Sequence, residues 1–321
     1  MSAQVLAALR IALARSRHKM TILDLYHQNI GESGAQAIAA AMPPSLTKLN
    51  LAANNICDSG ALAIAAKLPP SLTVLCLSWN KIGESGAQAI AANMPPSLTE
   101  LDLSGNDIGD TGAQAIAAAM PLTLTELNLF ENNIGDAGAQ AIAAKLPPSL
   151  TRLVLNSNQI GDSGAQAIAA KLPPLWLSDN QIGDAGAQAI AANMPPSLTE
   201  LGLSGNIGDA GAQAIAAKLP PTLTQLDLNI NQIGDSGAQA IAAVLPLSLT
   251  RLNLSNNQIG DSGAQAIAAK LPLTLTLLNL SNNKISDAGV QAIRHAVKDR
   301  CQSENCFGSV RVLAYFASQS I

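Results

Sequence analysis

Aromatic side chains are nearly missing from this chain: two Trp, two Tyr and three Phe among 321 residues. Any core must therefore be aliphatic. Charge is scarce too. Lys and Arg number 18 and Asp and Glu 22, together 12% of residues with a net charge of −4, against roughly 25% in an ordinary domain. Neither that balance nor any Lys/Arg run supplies the basic face of a nucleic-acid binder, so no nucleic-acid partner is expected. No run of 18 apolar residues exists, so no spanning helix and no membrane partner is indicated. Four cysteines (Cys57, Cys76, Cys301, Cys306) are too few to staple a chain of this length. Three histidines (His18, His27, His295) stand far apart in sequence. Cys-x-x-Cys pairs, phosphate loops, nucleophile elbows and zinc-protease motifs are all lacking. Cys301 and Cys306 with His295 do not have the tight paired spacing of a zinc site. A local disulfide and free thiols both stay open for them. No catalytic residue, metal or cofactor is expected, and the chain reads as non-enzymatic.

What the chain does have is repetition, which outranks other signals where it occurs. Apolar residues make up 48%, enough for a core. The segment Gly-Ala-Gln-Ala-Ile-Ala-Ala occurs nine times, from Gly34–Ala40 to Gly263–Ala269. Alternating with it is Leu-x-Leu-x-x-Asn-x-Ile. Its first leucine stands at Leu23, Leu49, Leu75, Leu101, Leu127, Leu153, Leu175, Leu201, Leu226, Leu252 and Leu278. Eight of the ten intervals are 26 residues; Leu153 to Leu175 is 22 and Leu201 to Leu226 is 25. The shorter unit loses its Ser-Leu-Thr-x segment, and the 25-residue unit reads as lacking the residue after Asn206.

Each unit predicts one strand and one helix. In Leu101-Asp102-Leu103 the alternation has the period of a half-buried strand. Asp110 precedes Thr111-Gly112-Ala113-Gln114-Ala115-Ile116 and reads as the N-cap of that helix. Gly112, Ile116 and Met120 share one narrow face, and Pro121 ends the helix. The asparagine column, which includes Asn54, Asn80, Asn106 and Asn206, reads as a buried ladder bonded to backbone groups of adjacent turns. One strand and one helix per unit implies parallel strands with right-handed crossovers. Helices are wider than the strand spacing, so the stack should curve with its strands inside. The expected fold class is α/β, a horseshoe solenoid with a parallel sheet on the concave face and helices on the convex face.

Leu-x-x-Leu-x-Leu-x-x-Asn-x-Ile, followed by Gly-Asp-x-Gly-Ala and a full helix, resembles the ribonuclease-inhibitor-like leucine-rich repeat over about residues 21–299. The unit is shorter than is typical of that subclass. The near-identical copies joined by Leu-Pro-Pro-Ser-Leu-Thr also resemble repeats of bacterial effectors that enter host cells. The resemblance implies eleven repeats over 21–299 as one continuous domain. Residues 1–20 read as a capping helix, with a transit segment as the rival reading. Residues 300–321 read as a C-terminal cap, with Val310–Phe316 strand-like. The function implied is a non-enzymatic interaction scaffold, a monomer that binds a protein partner. Its location would be cytoplasmic, or the host cytosol for a translocated effector. GTPase-activating or other enzyme-regulating activity is one alternative, and a purely structural or self-associating role is the other.

The outward positions of the strands carry the functional signal. Relative to the first leucine, positions −1, +1, +3 and +4 should face the concave side. A random distribution of the seven aromatics would place about one there; four are present, Tyr26, Trp79, Phe130 and Trp176. They fall in units one, three, five and seven, and Ile230 continues the series. Exposed aromatics of this kind commonly anchor protein interfaces. Glu100, Asp102, Glu126 and Arg152 occupy the same columns and complete the expected partner-binding set, the acidic units suiting a basic partner.

Overall fold

The computed structural model describes residues 20–169 and 175–300. The expected caps, with His18, Cys301, Cys306 and residues 310–316, lie outside the described residues, as does the 170–174 segment of the shortened unit. The chain divides into two compact units, residues 1–159 and 160–321. The boundary falls inside the shortened 22-residue interval.

In the first unit the strands β1 (Ile22–Asp24), β2 (Lys48–Asn50), β3 (Val74–Cys76), β4 (Glu100–Asp102), β5 (Glu126–Asn128) and β6 (Arg152–Val154) alternate with five helices. These are α1 (Gly31–Ala40), α2 (Cys57–Ala65), α3 (Glu84–Ala92), α4 (Gly109–Ala119) and α5 (Asp136–Lys145). The strands pair in parallel and in chain order, with Leu23, Leu49, Leu75, Leu101, Leu127 and Leu153 in one register row. The second unit repeats the pattern. Its strands are β7 (Leu175–Trp176), β8 (Glu200–Gly202), β9 (Gln225–Asp227), β10 (Arg251–Asn253) and β11 (Leu277–Asn279). Its helices are α6 (Asp162–Ala169), α7 (Asp184–Ala192), α8 (Asp209–Ala216), α9 (Asp235–Ala243), α10 (Asp261–Lys270) and α11 (Asp287–Arg300). Leu175, Leu201, Leu226, Leu252 and Leu278 align. Each unit is thus an α/β solenoid with its sheet on one side and its helices on the other.

The core is a stack of aliphatic layers. In unit four Leu98, Leu101, Leu103, Ile108 and Ile116 are at most 1% exposed, each adding about 1.5–3 kcal/mol by burial. The Ser-Leu-Thr joint serves this layer. Ser97 Oγ donates to the Pro70 and Leu72 carbonyls, and Thr99 Oγ1 donates to the Thr73 carbonyl, so each repeat satisfies its predecessor's backbone.

The asparagine ladder is built as the pattern implies. Asn106 is buried. Its Oδ1 accepts from Asn80 N and Ile82 N, and its Nδ2 donates to the carbonyls of Leu77, Leu103 and Ser104. Asn206 does not belong to it. That residue is exposed, its amide donates to the Ile182 carbonyl, and its Oδ1 accepts from Gln232 Nε2. These are the bonds of the exposed column one residue further on. Gly205, at φ +155°, stands where the ladder asparagine would be, and a Cβ there would come within 2.7 Å of the Asn180 carbonyl. The 25-residue unit has therefore lost its ladder residue, not the one after it. Inserting one asparagine between Gly205 and Asn206 should restore the rung and raise stability by about 1–2 kcal/mol, since a buried amide regains its partners. Chemical denaturation with no gain would show that the chain has closed over the gap without cost.

The aspartates also differ from expectation. Asp110 lies inside α4, not at its cap. Its Oδ1 accepts from the amides of Gly135 and Gly138, at the start of the next helix, α5. Asp235 does the same for Gly260 and Gly263 at α10. The physics of capping is retained, but the carboxylate and the free amides come from successive repeats, and the bond staples them together. The Ser262 hydroxyl, with these amides, holds the Asp235 carboxyl below its ordinary value. Ser286 does likewise for Asp261. At Asp209 burial pushes upward, but the hydrogen bonds from Ser236, Gly234 and Gly237 outweigh it and the net direction is down. A folded-state value below the unfolded one adds stability that is present above the ordinary carboxylate value and lost as pH falls through the folded value. Asp235→Ala should cost about 1 kcal/mol near neutral pH. The gap between variant and native chain should close below about pH 4, followed by urea denaturation across pH 3–6. A gap that is independent of pH would contradict the staple.

Candidate site on the strand face

Position +4 of the repeats is left-handed in both units. His27, Ala53, Trp79, Glu131, Ser157, Asp179, Ile230, Asn256 and Asn282 have φ between 51° and 58°. Asparagine tolerates that conformation, whereas a bulky or β-branched side chain is disfavoured there. Trp79 and Ile230 nevertheless occupy it, with 50% and 49% of their surface exposed. Neither local preference nor burial accounts for them, and strained residues of this kind gather at binding surfaces.

Trp79 has a defined seat. Its indole lies over Gly105, at φ +64°, where a Cβ would come within 2.4 Å of the ring. The ring reaches across unit four to Phe130, with centroids 6.4 Å apart and planes tilted by 56°, a normal distance for an attractive aromatic pair. Gly105 is thus the residue that lets two aromatics two repeats apart meet. Tyr26, 59% exposed, does not join them; its ring neighbour is His27 at 5.9 Å. Trp176 stands on β7 opposite Gly202, in the other compact unit. Within the first unit, the expected row therefore holds one contacting pair, Trp79 and Phe130, with Tyr26 apart from it.

The charged residues do converge. Glu100, Asp102, Glu126 and Arg152 line one open hollow of about 190 Å³ on β3 to β6, together with Val74, Cys76, Asn128 and Val154. Arg152 Nη1 lies 3.3 Å from Glu126 Oε2, and both side chains are well exposed, so the pair is worth little. Asp102 has a structural task as well. Its Oδ1 accepts from Ser104 N and Ser104 Oγ, and the same +1 to +3 bond recurs at Asn128–Phe130 and Asn253–Ser255. This Asx turn bends the chain out of each strand. Cys76 Sγ lies 3.6 Å from Asp102 Oδ2. Burial pushes its thiol up, the Ser78 bonds pull it down, and the net direction is up, so the group stays a neutral thiol. Cys76 and Gly105 carry no motif, and their places emerge only from the register.

The second unit has its own hollow of about 390 Å³, bordered by Gln225, Asp227, Arg251 and Asn253. Burial holds the Asp227 carboxyl above its ordinary value against the bonds from Asn229 and Asn253. No aromatic side chain lines it among the described residues. Among the described residues no three His, Cys, Asp or Glu side chains converge as metal ligands, and no helix is long and apolar enough to cross a membrane.

The leucine-rich repeat profile matches ten segments: residues 43–65, 69–91, 95–117, 122–143, 147–169, 175–191, 195–216, 220–242, 247–268 and 272–293. They amount to more than half of the chain. No curated protein matches it. Among solved structures the chain is similar to an internalin (inlF) from Listeria monocytogenes, at 22% identity and a TM-score of 0.51, over 91% of this chain and 92% of that one. It is also similar to the APL1 leucine-rich repeat domain, at 20% identity and a TM-score of 0.51, over 89% of this chain and 79% of that one. At such identities the likeness is one of fold. Repeats of this class are generally protein-interaction scaffolds, because they present an extended, regular surface. The ten matched segments fall on the same strand–helix units that the leucine rows and the asparagine ladder define, and the chain belongs to the leucine-rich repeat family.

Proposed function

We propose that the chain is a non-enzymatic scaffold of ribonuclease-inhibitor-like repeats that binds a protein partner across its strand face, the concave face of such a solenoid. Tyr26, Trp79, Phe130 and Trp176 are the anchors, and Glu100, Asp102, Glu126 and Arg152 orient the partner. The observation that carries this reading is Trp79: half exposed, held at positive φ, and seated over Gly105 against Phe130. A large aromatic kept in a disfavoured conformation on an open surface suits a hot spot. The chain acts as a monomer. Its near-identical repeats favour the effector setting, in which the partner is a host protein and the site of action is the host cytosol.

The test is affinity capture with mass spectrometry, comparing the native chain with a Tyr26, Trp79, Phe130 and Trp176 to alanine variant. Trp79→Ala alone provides a less invasive second variant, and circular dichroism checks the fold of both. A partner retained at least tenfold better by the native chain is expected, the usual size of a hot-spot loss. Equal retention by all three proteins would move binding off this face.

A further inference from the structure

The hollow and the aromatic pair are neighbours along the same strands. Cys76 and Asn128 line the hollow, and Trp79 and Phe130 follow them by three and two residues. Three carboxylates and one cation face this corner. Glu100 is exposed; its amide bonds to the Thr73 carbonyl, while among the described residues its carboxylate has no hydrogen bond or ion pair. Asp102 keeps Oδ1 for Ser104 but offers Oδ2 only to a weak thiol donor. Glu126 is engaged by Arg152 through the exposed contact at 3.3 Å, which a competing cation can displace. Exposed Glu131 adds one more negative charge next to Phe130. The corner is therefore anionic and carries an aromatic platform at its end.

A cation fits that charge, and the platform chooses among cations. A guanidinium is planar, binds carboxylates through two parallel bonds and stacks on an indole, whereas an ammonium does neither as well. We propose that this corner receives an arginine-rich segment of the protein partner, its guanidinium groups held by Glu100, Asp102 and Glu126 and stacked on the Trp79–Phe130 pair. Arg152 is the internal competitor that holds Glu126 until the segment arrives. The proposal rests on the strand-face reading above and narrows it to one partner chemistry.

Trp176→Phe leaves Trp79 as the single tryptophan, so its fluorescence reports on the corner. Titration with hexa-arginine should shift that emission with a dissociation constant in the micromolar range at low salt, weakening as salt rises. Hexa-lysine should bind at least fivefold more weakly. The Glu100→Gln, Glu126→Gln pair should weaken hexa-arginine binding at least tenfold, and Arg152→Ala should strengthen it. Asp227→Asn with Glu200→Gln, which removes equal charge from the other unit, should leave it unchanged. Equal binding of the two hexapeptides, equal losses from the two double variants, or no fluorescence change up to millimolar peptide would each overturn the arginine site. If partner capture still depends on Trp79 and Phe130 after such a result, the strand-face reading stands and only the arginine chemistry falls.

Discussion

Asn80→Ala should lower the stability of the first unit by about 3–5 kcal/mol, enough to threaten its folding. Asn80 is fully buried. Its Oδ1 accepts from Asn54 N at 3.0 Å and Ile56 N at 3.2 Å, and its Nδ2 donates to the carbonyls of Leu51, Leu77 and Ser78 at 2.9–3.0 Å. Alanine removes every one of these partners and leaves two amides and three carbonyls in an aliphatic layer. Each buried group left unsatisfied costs about 1–3 kcal/mol. Shared carbonyls and some entering water bring the total below the simple sum. Gln159→Ala is the internal comparison: Gln159 is exposed and its side chain bonds only along the rim, to Asn133, so its loss should stay within about 0.5 kcal/mol. Urea denaturation gives both values. Amide hydrogen exchange adds the local readout, because Asn54 N and Ile56 N should lose protection in the Asn80 variant alone. Losses of equal size at the two positions would mean that the ladder is ornamental.

The strand–helix alternation, the parallel register and the buried asparagines were legible in the sequence, because a 26-residue period repeats the same environment and each column reports one burial state. Relations between repeats were less so. Asp110 reads as the cap of its own helix because linear order cannot show that the next helix start, 25 residues on, lies closer. The deletion around Asn206 is ambiguous for a similar reason: Gly-Asn-Ile aligns with either of two adjacent columns, and only the bonds to Ile182 and Gln232 decide it. At the candidate site the columns group Glu100, Asp102, Glu126 and Arg152, which line one hollow. They do not show which rings meet. Tyr26 and Phe130 occupy the +3 column and Trp79 the +4 column, but whether rings meet depends on the residue between them. Gly105 opens a path from Trp79 to Phe130, whereas Ala53, at the matching place between Tyr26 and Trp79, carries the Cβ that Gly105 lacks. That distinction lies in side-chain volume one repeat away, which periodicity does not encode.

Gly112→Val should be nearly as damaging, at about 3 kcal/mol, although standard helix propensities call for any residue but glycine there. In α4, Gly112 faces α3. A Cβ at Gly112 would lie 2.8 Å from the Ala87 Cβ and 2.6 Å from Ile108 Cγ2. Both are below contact distance. The same closeness recurs one repeat on, where a Cβ at Gly138 would meet the Ala113 Cβ at 3.0 Å. The glycine column therefore sets how near neighbouring helices come, while the strands on the other side of each repeat are held in register by backbone bonds. A helix interior gains about 1 kcal/mol from Gly→Ala by propensity, but overpacking costs 1–3 kcal/mol. Gly112→Ala should thus come out at a net loss of about 1 kcal/mol, and the two further methyl groups of valine deepen it. Thr111→Ala, exposed on the same helix, should be neutral or slightly stabilising and isolates the propensity effect. If Gly112→Ala proved stabilising by the full propensity gain, the helices would have room to separate, and the glycine column would be a composition bias and not a packing requirement.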